Sequence, residues 1–215
     1  MLTALAVVLM AILPAQPPMN QRTRIVAMGD STTAGTPGWK SVIESPPRGL
    51  GDETSQYAYW LTKSHPEWEV RNHGVNRERS DQIRARFERD VIDAAPRVVV
   101  IIAGVNDVYQ GRPVAHITAQ LHDMYERAAA AGIRVVAGSI IPYNTATPDQ
   151  NARMREVNDW IRKQPGVVFV DTRASVSAPG DADRLFDSPD GLHPTAQGYR
   201  RIAEAIAPVL EKILR

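Results

Sequence analysis

RVVVIIAGVND, residues 97–107, decides the fold. Its first part is apolar at every position after Arg97 and rich in β-branched side chains. A strand with one wet face alternates apolar and polar residues. This one does not, so it calls for cover on both faces and a central place in a parallel sheet. The run then breaks at Gly104 and turns polar at Asn106 and Asp107.

Moving outward, four further apolar runs share that form: RIVAMGD (24–30), WEVRNHG (68–74), RVVAGSII (134–141) and VVFVDT (167–172). Helical spacing separates them. Tyr57, Trp60 and Leu61 form one stripe that Pro66 closes. Ile83, Phe87 and Val91 form the next, with Ser80 as the expected N-cap. Val114, Ile117, Leu121 and Met124 lead to a stop at Gly132. A helix is predicted over 152–163, a polar loop over 174–190, and a last helix from Thr195 that buries Tyr199, Ile202, Ile206, Val209 and Ile213. Alternating strands and helices predict an α/β fold: a three-layer α/β/α sandwich on a five-stranded parallel sheet, flavodoxin-like, in strand order 2-1-3-4-5.

The 215 residues suit one domain of this kind, placed at 23–215. Residues 2–13, LTALAVVLMAIL, are apolar and uncharged but too short to span a bilayer, which takes about 20 residues. They fit the apolar core of a signal peptide, so 1–22 is read as a leader and the protein as secreted or periplasmic. The net charge of +1 points to no polyanionic partner. The most basic segment, RERSDQIRARFER (77–89), interleaves acids among its arginines and reads as a solvated helix face, not a nucleic-acid site. The absence of cysteine excludes disulfides, thiolate metal sites and a thiol nucleophile.

In an open α/β sheet, ligands bind beyond the carboxyl ends of the strands, where the strand order reverses. Three strand ends open there. The first carries Asp30-Ser31, the second Gly74, the third GVND (104–107). Before the last helix, DSPDGLHPTAQGY (187–199) sets Asp190 three residues ahead of His193. A serine hydroxyl needs a neutral imidazole to accept its proton, and the imidazole needs a partner that fixes its tautomer. Ser31, His193 and Asp190 supply these parts. The oxyanion of an acyl-transfer intermediate needs donors, for which the backbone N–H groups of Ser31 and Gly74 and the side-chain amide of Asn106 are the candidates. Asp187, Asp190 and His193 make a weak metal set, and no Gly-rich phosphate loop is present, so the reading calls for no metal and no cofactor. Asp107 is expected to support its own loop. His73, beside Gly74, and Trp39, in the Pro/Gly-rich stretch 36–54, are candidates to line the cleft.

With these motifs in place, the chain resembles the SGNH or GDSL hydrolases over most of its length after residue 23. The four residues that name the family occur in order: Ser31 in GDST, Gly74 in NHG, Asn106 in GVND and His193 in DGLHP. The resemblance implies a serine ester or thioester hydrolase whose triad is completed by Asp190. Two departures stand out. The first block reads GDSTT where many members read GDSL. The second reads GVNRERS, with Arg77 where relatives often carry a small residue, frequently glycine. The expected substrate is a small-molecule ester with a short or medium acyl chain, a lysophospholipid or an acetylated carbohydrate. The alternative is a non-catalytic glycan- or lipid-binding protein on the same fold.

Overall fold

The computed structural model describes residues 22–215, so the leader assigned to 1–22 lies almost entirely outside the described residues. The chain begins with β1 (Thr23–Gly29), the one-turn α1 (Ser31–Ala34) and a small hairpin of β2 (Trp39–Lys40) and β3 (Leu50–Gly51). It continues through α2 (Tyr57–Ser64), β4 (Trp68–Gly74), α3 (Ser80–Ala85), a π-helical turn (Glu88–Ile92) and β5 (Val98–Ile102). Then come α4 (Val105–Tyr109), α5 (Val114–Ala130), β6 (Arg134–Gly138), α6 (Pro148–Arg162), β7 (Val167–Val170) and α7 (Thr172–Val176). The chain closes with a hairpin of β8 (Ser177–Ala178) and β9 (Asp181–Leu185), then α8 (Ala196–Leu214).

The main sheet is parallel throughout, in order β4-β1-β5-β6-β7. Counting only its five strands in chain order, this is 2-1-3-4-5, as expected. β5 is the middle strand and all five of its side chains are buried. The two-residue period of a strand splits the core. Val26, Met28, Val99 and Ile101 face α3, α5 and α6, through Ile83, Phe87, Leu121, Met124 and Met154. Ile25, Ala27, Val98 and Val100 face α2 and α8, through Tyr57, Leu61, Tyr199, Ile202 and Ile206. Fully burying one such side chain is worth about 1.5–3 kcal/mol, so both helix layers are held firmly to the sheet.

Several local expectations differ from the structure. Helix α6 starts earlier than 152, because Thr147 and Gln150 form a reciprocal capping box around Pro148. The stretch read as a loop over 174–190 contains the end of α7 and the β8–β9 hairpin. Val209 and Ile213 are only half-buried on α8, and Leu210 takes the fully buried place. Ser80 is not a cap: it is the first residue of α3. Its hydroxyl is drawn instead to Asp107 Oδ1 at 2.7 Å. Among the described residues, no helix is long and apolar enough to cross a membrane.

Candidate active site

β1, β4 and β5 end side by side, Gly29 pairing with Gly74 on one flank and Ile102 on the other. Gly29 is glycine for reasons of space. A Cβ there would sit 2.2 Å from the Ile102 carbonyl oxygen and 2.3 Å from Thr33 Oγ1. The next residue, Asp30, caps α1 by accepting the Thr32 N–H at 2.9 Å. α1 therefore begins abruptly, with Ser31 at its first position. The Ser31 N–H cannot bond within the helix and meets no acceptor among the described residues. Asp30 is 1 % exposed and its Oδ2 has no partner among the described residues. Burial pushes its carboxyl up to about 7, against the opposing hydrogen bonds from Thr32.

Opposite Ser31 stands the loop before α8. His193 Nε2 lies 2.9 Å from Ser31 Oγ, and His193 Nδ1 lies 2.7 Å from Asp190 Oδ2. The second carboxylate oxygen of Asp190 accepts the backbone N–H groups of Leu192 and His193, at 2.9 and 2.8 Å. Partial burial raises the Asp190 carboxyl, but the hydrogen bonds from the His193 ring and from those amides outweigh it and hold the carboxyl below the usual range. Ser188 Oγ donates to the His193 carbonyl at 2.6 Å and ties the loop to itself. The His193 ring is nearly fully buried, while the Asp190 side chain is 37% exposed.

The third strand end presents Asn106. Gly104 takes φ +118°, a left-handed value that favours glycine, and lets α4 turn out of β5 at once. Asn106 Nδ2 donates to the Glu78 carbonyl at 2.9 Å, which uses one of its two N–H bonds. Asp107 supports more than its own loop. It is fully buried and accepts both the N–H and the hydroxyl of Ser80, so it clamps α4 to α3.

Gly74 departs from expectation. Its N–H is already donated to Asn72 Oδ1 at 2.9 Å. A Cβ at Gly74 would come within 2.0 Å of the Ala34 nitrogen, so glycine is needed here to let β4 pass under α1. The residue that turns toward Asn106 lies three positions on. Glu78 N–H closes a turn on the Val75 carbonyl, and Arg77 sits in that turn with φ +66°. Such a value at the third position of a turn suits glycine, and a residue with a Cβ held there is strained by about 1–2 kcal/mol. Among the described residues no acceptor takes the Arg77 N–H. Arg77 lines a cavity of about 320 Å³ together with Val105, Asn106, Tyr109, Gln110 and Leu192; Ser31 and His193 are not among its lining residues, and Asn106 is the candidate site residue it shares.

Sequence reasoning missed what holds this turn. Arg86 is buried and donates to the Gly29 carbonyl, to Glu78 and to Asp90, so one guanidinium joins the end of β1 to the turn that carries Arg77. An arginine in a run of mixed charge gave no sign of that burial. Two cleft candidates lie elsewhere. His73 points to the face of β4 opposite Asn72 and Gly74. With Trp39 it lines a groove along the outer edge of β4, to which Ser31, Asn106 and His193 contribute nothing.

The profile of the GDSL-like lipase/acylhydrolase family matches residues 27–201. Solved structures with the same fold include a GDSL-like lipase from Bacteroides thetaiotaomicron, with 23% identity over 93% of this chain and 92% of that one and a TM-score of 0.68. Another is a member of the lipolytic protein G-D-S-L family from Veillonella parvula, with 18% identity over 88% and 99% of the two chains and a TM-score of 0.70. An acetylxylan esterase from Geobacillus stearothermophilus, solved as a catalytic mutant, shares 21% identity over 89% and 94% with a TM-score of 0.66. A comparison with curated protein sequences gives no match.

Proposed function

Because the chain belongs to the GDSL-like lipase/acylhydrolase family, we propose that it hydrolyses small carboxylic esters with Ser31 as nucleophile, His193 as general base and Asp190 as the group that orients His193. The observation that supports this most is the unbroken line from Asp190 Oδ2 through the imidazole to Ser31 Oγ, with separations of 2.7 and 2.9 Å. Asp190 accepts a hydrogen bond from Nδ1–H, which keeps that proton on Nδ1 and the Nε2 lone pair directed at the hydroxyl.

In the first step Ser31 Oγ bonds to the acyl carbon while its proton passes to His193 Nε2. The carbonyl oxygen becomes an oxyanion. The bond to the alcohol oxygen then breaks, and His193 returns the proton to that oxygen. A water molecule repeats the sequence on the acyl-enzyme, giving up a proton to His193, and releases the acid and Ser31. The oxyanion donors we assign are the Ser31 N–H, the free N–H of Asn106 Nδ2 and the Arg77 N–H, the last in place of the engaged Gly74 amide. The substrate group enters the cavity beside Asn106 and Leu192. At about 320 Å³ it falls at the small end of ligand pockets and suits an acetyl or other short acyl ester better than a long lipid chain.

The test is hydrolysis of p-nitrophenyl esters from acetate to palmitate by the wild type and by Ser31→Ala. The reading expects turnover with a short-chain optimum and a variant at background. Full activity in Ser31→Ala overturns the assignment, and no turnover by either protein favours a binding role.

A further inference from the structure

The basic segment 77–89 carries five arginines, of which Arg79, Arg84, Arg86 and Arg89 each pair with a carboxylate. Arg77 is the exception: among the described residues no carboxylate lies within 4.0 Å of its guanidinium. It is also the one whose backbone takes the left-handed conformation that glycine would adopt freely. A strained residue held at a cleft points to a use for its side chain.

The surroundings say what that use is. The six residues lining the cavity include one charge, Arg77, and no acid. Gln110 adds an amide donor and Tyr109 a hydroxyl, while the free N–H of Asn106 is reserved for the oxyanion. Gln110 is oriented by Arg79, whose Nη1 donates to its Oε1 at 3.3 Å, which leaves the amide nitrogen as a donor. Such a lining, with a cation, several donors and no competing carboxylate, is matched by an anion. A planar guanidinium fork fits a carboxylate in two parallel hydrogen bonds.

We propose that this cavity selects esters that carry a carboxylate a few bonds from the reacting carbonyl, with the Arg77 guanidinium as the group that binds it. The proposal rests on the esterase reading above and adds the substrate class. The carboxylate could belong to the acyl group or to the alcohol, so two matched pairs separate the cases. Mono-p-nitrophenyl glutarate against p-nitrophenyl valerate places the charge on the acyl side. 4-Acetoxybenzoate against its methyl ester places it on the alcohol side.

The readout is the ratio of kcat/KM for the charged member to that for the neutral member, in which any general loss of activity cancels. The wild type is expected to favour the charged ester in at least one pair. Arg77→Gln, which keeps a side chain and removes the charge, is expected to lower that ratio roughly tenfold, and Arg77→Lys to restore part of it. Ratios unchanged in Arg77→Gln for both pairs overturn the proposal while leaving the esterase reading intact. A wild type that turns over no ester in either pair, and matches Ser31→Ala throughout, overturns both.

Discussion

Replacing Asp190 with asparagine isolates one contact. In the structure Asp190 makes two kinds of hydrogen bond: Oδ1 accepts the Leu192 and His193 amides, and Oδ2 faces His193 Nδ1 at 2.7 Å. An asparagine keeps the first kind, since its carbonyl oxygen accepts the same two amides. Its nitrogen then faces Nδ1 and donates, so the imidazole must carry its proton on Nε2. In that tautomer Nε2 cannot accept from Ser31. The same exchange in a comparable triad lowers kcat about 10⁴-fold, equivalent to roughly 5 kcal/mol of transition-state stabilisation. Here the Asp190 side chain is 37% exposed, so water can partly solvate the imidazolium. The expected loss in Asp190→Asn is therefore about 10³- to 10⁴-fold in kcat. Steady-state hydrolysis of p-nitrophenyl acetate, with a thermal melt to verify folding, measures it. A folded Asp190→Asn retaining more than about a tenth of wild-type kcat would refute the role given to this carboxylate.

Asn106→Ala is expected to lower kcat about 10²- to 10³-fold with little change in KM, because the missing donor acts on the oxyanion; steady-state kinetics reads both constants. Asp30→Asn tests the buried, half-partnered carboxyl. With its pKa up to about 7, the folded chain holds a proton that the unfolded chain releases from about pH 4 upward, so stability falls as pH rises through that window. Asparagine has no such titration, so its melting temperature should gain on wild type between about pH 4 and pH 8, and parallel curves contradict the reasoning. Gly74→Ala drives a Cβ into the α1 backbone, 2.0 Å from the Ala34 nitrogen, and is expected to lose about 3 kcal/mol in denaturant unfolding.

Patterns set by local chemistry were legible in the sequence. Five apolar runs marked the five sheet strands, and the continuous one, 97–104, contains the middle strand. Ser31, Asp190 and His193 were legible because two chain segments 162 residues apart each carry a polar group that a strand end or helix start does not require. What stayed hidden depends on contacts across the chain. Gly74 reads as a close-approach glycine in either case, and only the structure shows that α1 is what approaches it and that Asn72 takes its N–H. Arg77 is not itself a glycine, so its left-handed turn was hinted at only by the resemblance, in which relatives frequently carry glycine at this place. Ser80 has the chemistry of a cap, but Asp107, 27 residues on, competes for its hydroxyl and wins. The β8–β9 hairpin escaped because its strands are short and polar.

The central claim is that Ser31 is an activated nucleophile, and covalent capture tests it most directly. A fluorophosphonate is incubated with wild type and Ser31→Ala, and the adduct is located by mass spectrometry of the digested protein. One adduct on the peptide carrying Ser31 in the wild type, and none in the variant, is the predicted result. A wild type left unmodified, or modified equally in both proteins at another residue, contradicts the account.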